Sequence, residues 1–424
     1  MAWSSKKARI IKKAVEGEMS EDVPATFLQL SDQVEFILDE AAASELTRFH
    51  TPWLVKDCVW ENALKKKAVI WLATVLNKPI LKLTEEDYNN HGMAQLAVEQ
   101  GPVYNINIEI FNQVQHTITG WPGGKPNADH SQRPERALPA KKKSVIFSPH
   151  PDDDVISMGG TFIRLVDQGH EVHVAYQTSG NTAVWDDDVL RYVEFAIDFN
   201  ESIGDDNTRL KGIYDKMRQF ISQKQPNQID TPDIRNVKGF IRKTEAIAGA
   251  RYAGLPDARI HFMALPFYET GKTQKNAVGE ADIRLTMELL QQIKPHQVFT
   301  AGDFADPHGT HLVCFNVVVE ALKRLKETEN WVEHCWVWMY RGAWHEFETY
   351  EIEMAVPLSP NEVLRKRDAI FKHQSQKDTP VFPGDDKREF WVRAEDRNRE
   401  TARRYNQLGL AEYEAVEAFV KYRL

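Results

Sequence analysis

The short apolar run Ser144-Val145-Ile146-Phe147 breaks off into a polar loop, Ser148-Pro149-His150-Pro151-Asp152-Asp153-Asp154. A helical pattern over 155–168 follows, stops at Gly169, and gives way to the alternating run Glu171-Val172-His173-Val174-Ala175-Tyr176. That order predicts strand, turn, helix and strand. A second helix around 282–293 leads to the strand Gln297-Val298-Phe299-Thr300. Strands alternating with helices imply an α/β fold with a mostly parallel, doubly wound sheet and flanking helices. In such sheets ligands sit beyond the carboxyl ends of the strands. The polar loop after residue 147 falls at that position.

Upstream the texture differs. Residues 5–16 read as a basic helix stopped by Gly17, Val34-Glu35-Phe36-Ile37-Leu38 as a strand, and Asp39–Leu46 as a helix. One strand cannot close a sheet, so 1–55 is expected to be a partial α/β segment. Residues 56–119 are expected to be helical, with an amphipathic helix at 61–76 whose Lys65-Lys66-Lys67 run forms its solvated face. Between 120 and 143 proline, glycine and charge without periodicity predict an extended linker. Residues 144–424 then form the main domain, ending in a helical tail over 393–424 that reads as charged, solvated surface, as does Arg365-Lys366-Arg367.

Composition narrows the function classes. The net charge of −9 argues against a general nucleic-acid binder. Three scattered cysteines, Cys58, Cys314 and Cys335, make neither a disulfide framework nor a thiolate metal site and fit a reducing compartment. The N-terminus has no apolar leader pattern and no stretch is long enough to span a bilayer, so a cytoplasmic protein without membrane insertion is expected.

The chemistry concentrates in two segments. In the first, one imidazole and three carboxylates crowd into His150–Asp154, and they repel unless a cation or protons offset them. An acidic tripeptide is also what a helix N-terminus collects. The second segment, Asp306-Pro307-His308-Gly309-Thr310-His311, lies just past the strand ending at Thr300, so both segments reach the same edge of one sheet. A catalytic zinc takes three protein ligands and leaves a position open. His150, Asp153 and His311 would supply them, with Zn2+ or another divalent metal as the cofactor. Asp152 is then placed as general base, and His308 as oxyanion stabiliser or proton donor to the departing amine. Such a site suits hydrolysis of an unactivated amide.

At these residues the sequence resembles the PIG-L/LmbE-like deacetylases over roughly 144–375. The resemblance rests on His150-Pro151-Asp152-Asp153, the Gly159-Gly160 helix, Thr178-Ser179-Gly180, Arg242-Lys243-Thr244-Glu245 and His308-Gly309-Thr310-His311. It implies a Rossmann-like fold and a zinc N-deacetylase acting on a small N-acetylated amino sugar, such as an N-acetylglucosamine derivative. By the same resemblance His150, Asp153 and His311 are metal ligands, Asp152 is the base, His308 is the second catalytic histidine, and Arg242 contacts substrate. The sequence departs from the family at Asn181, where many members carry a substrate-touching glutamate, and at Thr310, where many have an acid. Asp306 is a candidate replacement for that acid beside His308.

Residues 5–50 resemble the C-terminal tail of glucosamine-6-phosphate deaminase, through Lys6-Lys7-Ala8, Val15-Glu16-Gly17, Phe27-Leu28-Gln29-Leu30 and Asp39–Leu46. The resemblance implies the back end of a deaminase–deacetylase fusion without deaminase activity of its own. Two alternatives to deacetylation stay open: hydrolysis of a different amide, and a non-catalytic sugar-binding or assembly remnant. Asp186-Asp187-Asp188 reads as helix-capping charge, and the Trp331, Trp336, Trp338, Tyr340 and Trp344 cluster as strand and core.

Overall fold

The first strands are legible because they are buried on both faces. In a computed structural model of the chain, β1 (Lys143–Ser148) and β4 (Gln297–Ala301) are almost wholly inaccessible to solvent. Every residue is described except 4–6, 138, 140, 227, 273–274, 305, 307–308, 343, 379–380 and 383–385. The described residues form two compact units, Met1–His116 with Arg404–Ala411, and Thr117–Arg403 with Glu412–Leu424. None of the described helices is long and apolar enough to cross a membrane.

In the first unit, α1 (Ala8–Glu16) ends where Gly17 donates its amide to Lys13. The expected strand at 34–38 reduces to one parallel bridge between Ala2 and Leu38, because no further strand lies beside it among the described residues. The helices α2 (Asn62–Val75) and α3 (Val103–Thr117) follow. Lys65 departs from the expected solvated face: it is buried, and its ammonium meets Glu109 at 2.7 Å and Gln100 at 3.1 Å. Tyr88 donates to the buried Asn107 amide, which in turn donates to the Leu83 carbonyl.

The second unit is built on a seven-stranded sheet in the order β3-β2-β1-β4-β5-β7-β6. Its remaining strands are β2 (Glu171–Tyr176), β3 (Ile260–Phe262), β5 (Trp336–Tyr340), β6 (Met354–Leu358) and β7 (Ala415–Tyr422). Strands β1 to β5 pair in parallel, and β7 runs antiparallel between β5 and β6. Crossovers are supplied by α4 (Asp153–Asp167), α5 (Asp186–Ser202), α6 (Pro232–Tyr252), α7 (Glu280–Ile293) and α8 (Thr310–Lys326). Two more helices, α9 (Pro360–Ile370) and α10 (Phe390–Gln407), precede β7. Strand order reverses between β1 and β4, which opens a crevice at their carboxyl ends.

Three expectations are corrected here. The helical tail ends at Gln407 and the chain returns as strand β7, whose first five residues, Ala415-Val416-Glu417-Ala418-Phe419, are all buried between β5 and β6. Its inward charge is matched: Glu417 and Lys366, each about 1% exposed, pair at 2.7 Å, so Lys366 is no surface residue either. Segment 120–143 packs instead of running free. The Pro122 carbonyl accepts from Gln297, Arg133 donates to the Ile118 carbonyl, and Glu135 and Arg136 are buried. Gly123 lies so close to His170 that a Cβ there would stand 2.2 Å from its imidazole. The acidic run behaves as expected: Asp186, Asp187 and Asp188 stand in the first turn of α5, and the Asp186 carboxylate also meets Lys224 and Lys238 at 2.9 and 2.6 Å.

Two outcomes follow for stability. Glu417→Gln leaves Lys366 charged and buried, and should destabilise the protein by about 3–5 kcal/mol; a urea midpoint close to wild type would show that the pair is dispensable. The His170 imidazole is pushed down to about 4, first by burial and then by Lys142 and Lys141. Neutral in the fold, it contributes fully above its free value of about 6.5, and that contribution is lost as pH falls toward 4. Metal-free protein should lose about 2 kcal/mol through this residue between pH 7 and 5, and His170→Asn should flatten that part of the urea-midpoint profile.

Candidate metal centre and active site

The β1 strand delivers its last residue, Ser148, into a turn closed by side chain and backbone together. The Ser148 hydroxyl donates to the His150 carbonyl at 2.5 Å and accepts from the Asp154 amide at 3.1 Å. Thr178, after β2, donates its hydroxyl to the Pro149 carbonyl at 2.7 Å. The turn sets His150 just before α4, Asp152 at its N-cap and Asp153 in its first turn.

The other half arrives from β4. Asp306 caps α8, accepting from the Thr310 amide at 2.7 Å and the His311 amide at 3.3 Å, and so fixes His311 in the first turn. The His311 Nδ1–H donates to the Asp303 carbonyl at 2.9 Å, which leaves Nε2 facing Asp153. Asp153 Oδ2 then stands 3.2 Å from His150 Nδ1 and 3.3 Å from His311 Nε2. The ligand atoms of His150, Asp153 and His311 all lie within 4.8 Å of one another, the one such group found among the described residues.

Burial alone would raise the Asp153 carboxyl, but the His311 and His150 imidazoles outweigh it and hold it far below the usual carboxylate range. For His311, burial would lower the imidazole, and Asp153 instead lifts it to about 10. In metal-free protein these groups satisfy one another through shared protons. Two imidazoles, one with its outer nitrogen committed to a carbonyl, plus one carboxylate make a donor set that fits zinc.

Asp152 takes a separate partner. Its carboxylate lies 3.1 Å from the Arg242 guanidinium, projected from α6 and about 1% exposed. Gly180 allows this approach: it adopts φ +65°, and a Cβ there would stand 2.9 Å from both Arg242 Nε and Pro151. Among the described residues the Nε and Nη1 atoms of Arg242 have no hydrogen-bond partner, and Arg242 lines the cavity beside Asp152.

The remaining residues singled out in the sequence distribute as follows. Asp306 lines the cavity while capping α8. Asn181 is buried and donates to Glu269 at 3.2 Å, lining a neighbouring hollow with Ser179, Arg235 and Lys243. His308 lies outside the described residues. Asp154 turns inward, where Tyr176 and Ser148 bond it and burial pushes its carboxyl up to about 7.

Sequence reading missed several walls of the cavity: Tyr268, Lys275, Trp344 and Gln376. Tyr268 meets the His150 ring at 5.9 Å between centroids. Trp344 packs against the core as expected and also lines the cavity, its loop held by the Trp344 and His345 amides, which donate to Asp303 Oδ2 at 2.6 and 2.9 Å. Glu245 accepts from the Ser375 amide and hydroxyl, both at 2.7 Å, and this anchors Gln376 next to it in the chain. For Gln376 the signal in the sequence is a polar interruption, His373-Gln374-Ser375-Gln376.

Residues 145–322 match the PIG-L family, described as GlcNAc-PI de-N-acetylase, and form a domain of that family. Over all 424 residues the chain is 53% identical to a Bacteroides thetaiotaomicron glucosamine-6-phosphate deaminase-like protein, of which it spans 64%. A Streptococcus suis glucosamine-6-phosphate deaminase matches the N-terminal region at 56% identity over 46 residues, 11% of this chain and 20% of that protein. Among solved structures, an N,N'-diacetylchitobiose deacetylase from Pyrococcus horikoshii aligns at TM-score 0.41 and 19% identity, covering 66% of this chain and 84% of that one.

The triad predicts one tight divalent site. Calorimetric titration of metal-free protein with Zn2+ should give one equivalent in wild type. Asp153→Asn and His311→Ala should each weaken it by more than the roughly 10–100-fold that loss of an outer partner costs; wild-type affinity in both variants would refute the assignment.

Proposed function

We propose that this PIG-L family domain is a zinc-dependent N-deacetylase that removes the acetyl group from an N-acetylated amino sugar. The observation that carries the reading is the convergence of His150, Asp153 and His311 beside an independently held carboxylate, Asp152, at the strand-order reversal. Zinc held by the three ligands supplies a Lewis acid for the amide carbonyl and makes water acidic near neutral pH.

The chain's own groups do the rest. Asp152 accepts the proton of the attacking water, and the Arg242 guanidinium keeps its carboxylate oriented. Arg242 also lines the cavity beside Asp152 and is assigned a contact to the sugar's polar groups. His308 is assigned to the departing nitrogen: as the C–N bond breaks it donates a proton, so that the products are acetate and the free amine. Ile156, Ala183, Trp344 and Phe390 wall the cavity with apolar surface, which suits the acetyl methyl and excludes bulk water. Asn181 and Asp306 act at one remove, Asn181 by fixing Glu269 under the Thr178–Gly180 loop and Asp306 by seating His311.

Acetate release from N-acetylglucosamine tests the reading, with metal content measured on the same samples. Asp152→Asn should retain bound metal and lose about 10²–10⁴-fold in kcat, the usual worth of a positioned base. Stoichiometric metal in wild type without acetate from any N-acetylated sugar would sink the deacetylase reading and leave a sugar-binding remnant.

A further inference from the structure

Lys275 differs from the other charges of the cavity in having no ion-paired carboxylate among the described residues. Asp152 is matched by Arg242, Asp153 by two imidazoles, and Asp306 by the amides at the start of α8. The Lys275 ammonium donates to the Lys272 carbonyl at 3.0 Å and rests 3.7 Å from the centroid of the Tyr268 ring. Among the described residues no carboxylate pairs with it. Glu269, the nearest acid acting on it, is already bound by the Ser179 amide and hydroxyl and by Asn181, at 2.9, 2.8 and 3.2 Å.

A half-buried ammonium that forms no ion pair gives up part of its hydration at a cost. Burial pushes Lys275 down to about 8, with Glu269 opposing only in part. An incoming anion would remove that cost. Position adds the second half of the argument. The Tyr268 ring that carries Lys275 on its face also packs edge-on against the ring of His150, and all three line one cavity, so the ammonium and a metal ligand share a wall of the same site. An acetamido group at the triad would leave a substituent on the far side of the sugar within reach of Lys275.

Resting on the deacetylase reading above, we infer that Lys275 recognises a phosphate on the sugar, which makes N-acetylated amino sugar phosphates, not neutral sugars, the substrate class of this site. Lysine binds phosphate as a point charge with rotatable donors, so it tolerates either position of the group on the ring. The carbonyl of Lys272 is the contact it would exchange.

The test is a ratio. In wild type, kcat/KM for acetate release from N-acetylglucosamine 6-phosphate or 1-phosphate should exceed that for N-acetylglucosamine by roughly 10–100-fold, the worth of one charged hydrogen bond. Lys275→Gln should bring the ratio close to one, and Lys275→Arg should restore most of it. Calorimetric binding of glucosamine 6-phosphate against glucosamine reads the same discrimination without turnover. Equal efficiency on phosphorylated and neutral sugars in wild type, or a ratio untouched by Lys275→Gln, overturns the assignment and leaves the deacetylase reading standing. Tight, Lys275-dependent binding of glucosamine 6-phosphate with no acetate from any probe supports Lys275 and sinks deacetylation instead.

Discussion

Three consecutive carboxylates at the end of a buried strand cannot all stay ionised unless each finds its own compensation. Here each one does, and from a different element. Asp153 takes His150 and, across the crevice, His311 of α8; Asp152 takes Arg242 of α6. Asp154 takes the Tyr176 hydroxyl of β2, and burial together with its two acidic neighbours raises it to about 7. The crowding of charge in one turn therefore draws the carboxyl ends of separate elements together. Without Tyr176, Arg242 and His311 the turn would be a locus of repulsion, and with them it is where the sheet and its helices are tied.

The tie also explains how loops of little regular structure hold a defined cavity. Asp303 illustrates it. Its carbonyl accepts from His311 Nδ1, fixing the tautomer of a ligand, while its carboxylate accepts the amides of Trp344 and His345. One buried residue after β4 thus sets both a ligand nitrogen and the loop that carries an aromatic wall. Gly180 plays the reciprocal part after β2. Its left-handed backbone keeps a Cβ out of the space where Arg242 crosses to Asp152.

How much of this was legible in the sequence follows from where each signal lies. Strands β1, β2 and β4 and the start of α4 could be read because buried apolar runs and a capping acid are local signals. His150, Asp153 and His311 could be paired because two polar loops followed two such strands. What failed was charge read as solvent. Lys65, Lys366 and Glu417 look like surface residues in one dimension, yet each is buried against an opposite charge that lies 44 to 51 residues away. The proline- and glycine-rich stretch 120–143 failed in a similar way. Its glycines mark a close approach, with Gly123 against His170, not a flexible chain. Tyr268, Lys275 and Gln376 carry no periodicity at all, and their place in the cavity is fixed by long-range contacts such as that of Ser375 with Glu245.

The Glu417–Lys366 pair shows why one of these failures matters to the site. Helix α4 breaks at Met158, where φ −135° and ψ 25° leave the helical region. A break in the ladder frees amides just beyond it. The amides of Gly160 and Thr161 donate to the two Glu417 oxygens, at 3.0 and 2.6 Å. The charge so buried requires Lys366, which in turn is steadied by Asn398 at 2.8 Å. Closeness of packing demands the glycine, since a Cβ at Gly160 would stand 2.6 Å from Leu358. The turn of α4 that bears Asp153 is therefore kinked away from the rest of the helix, and β7 satisfies what the kink leaves open. The last strand of the sheet, hidden in sequence by its charged residues, is what permits the first loop to aim its ligand.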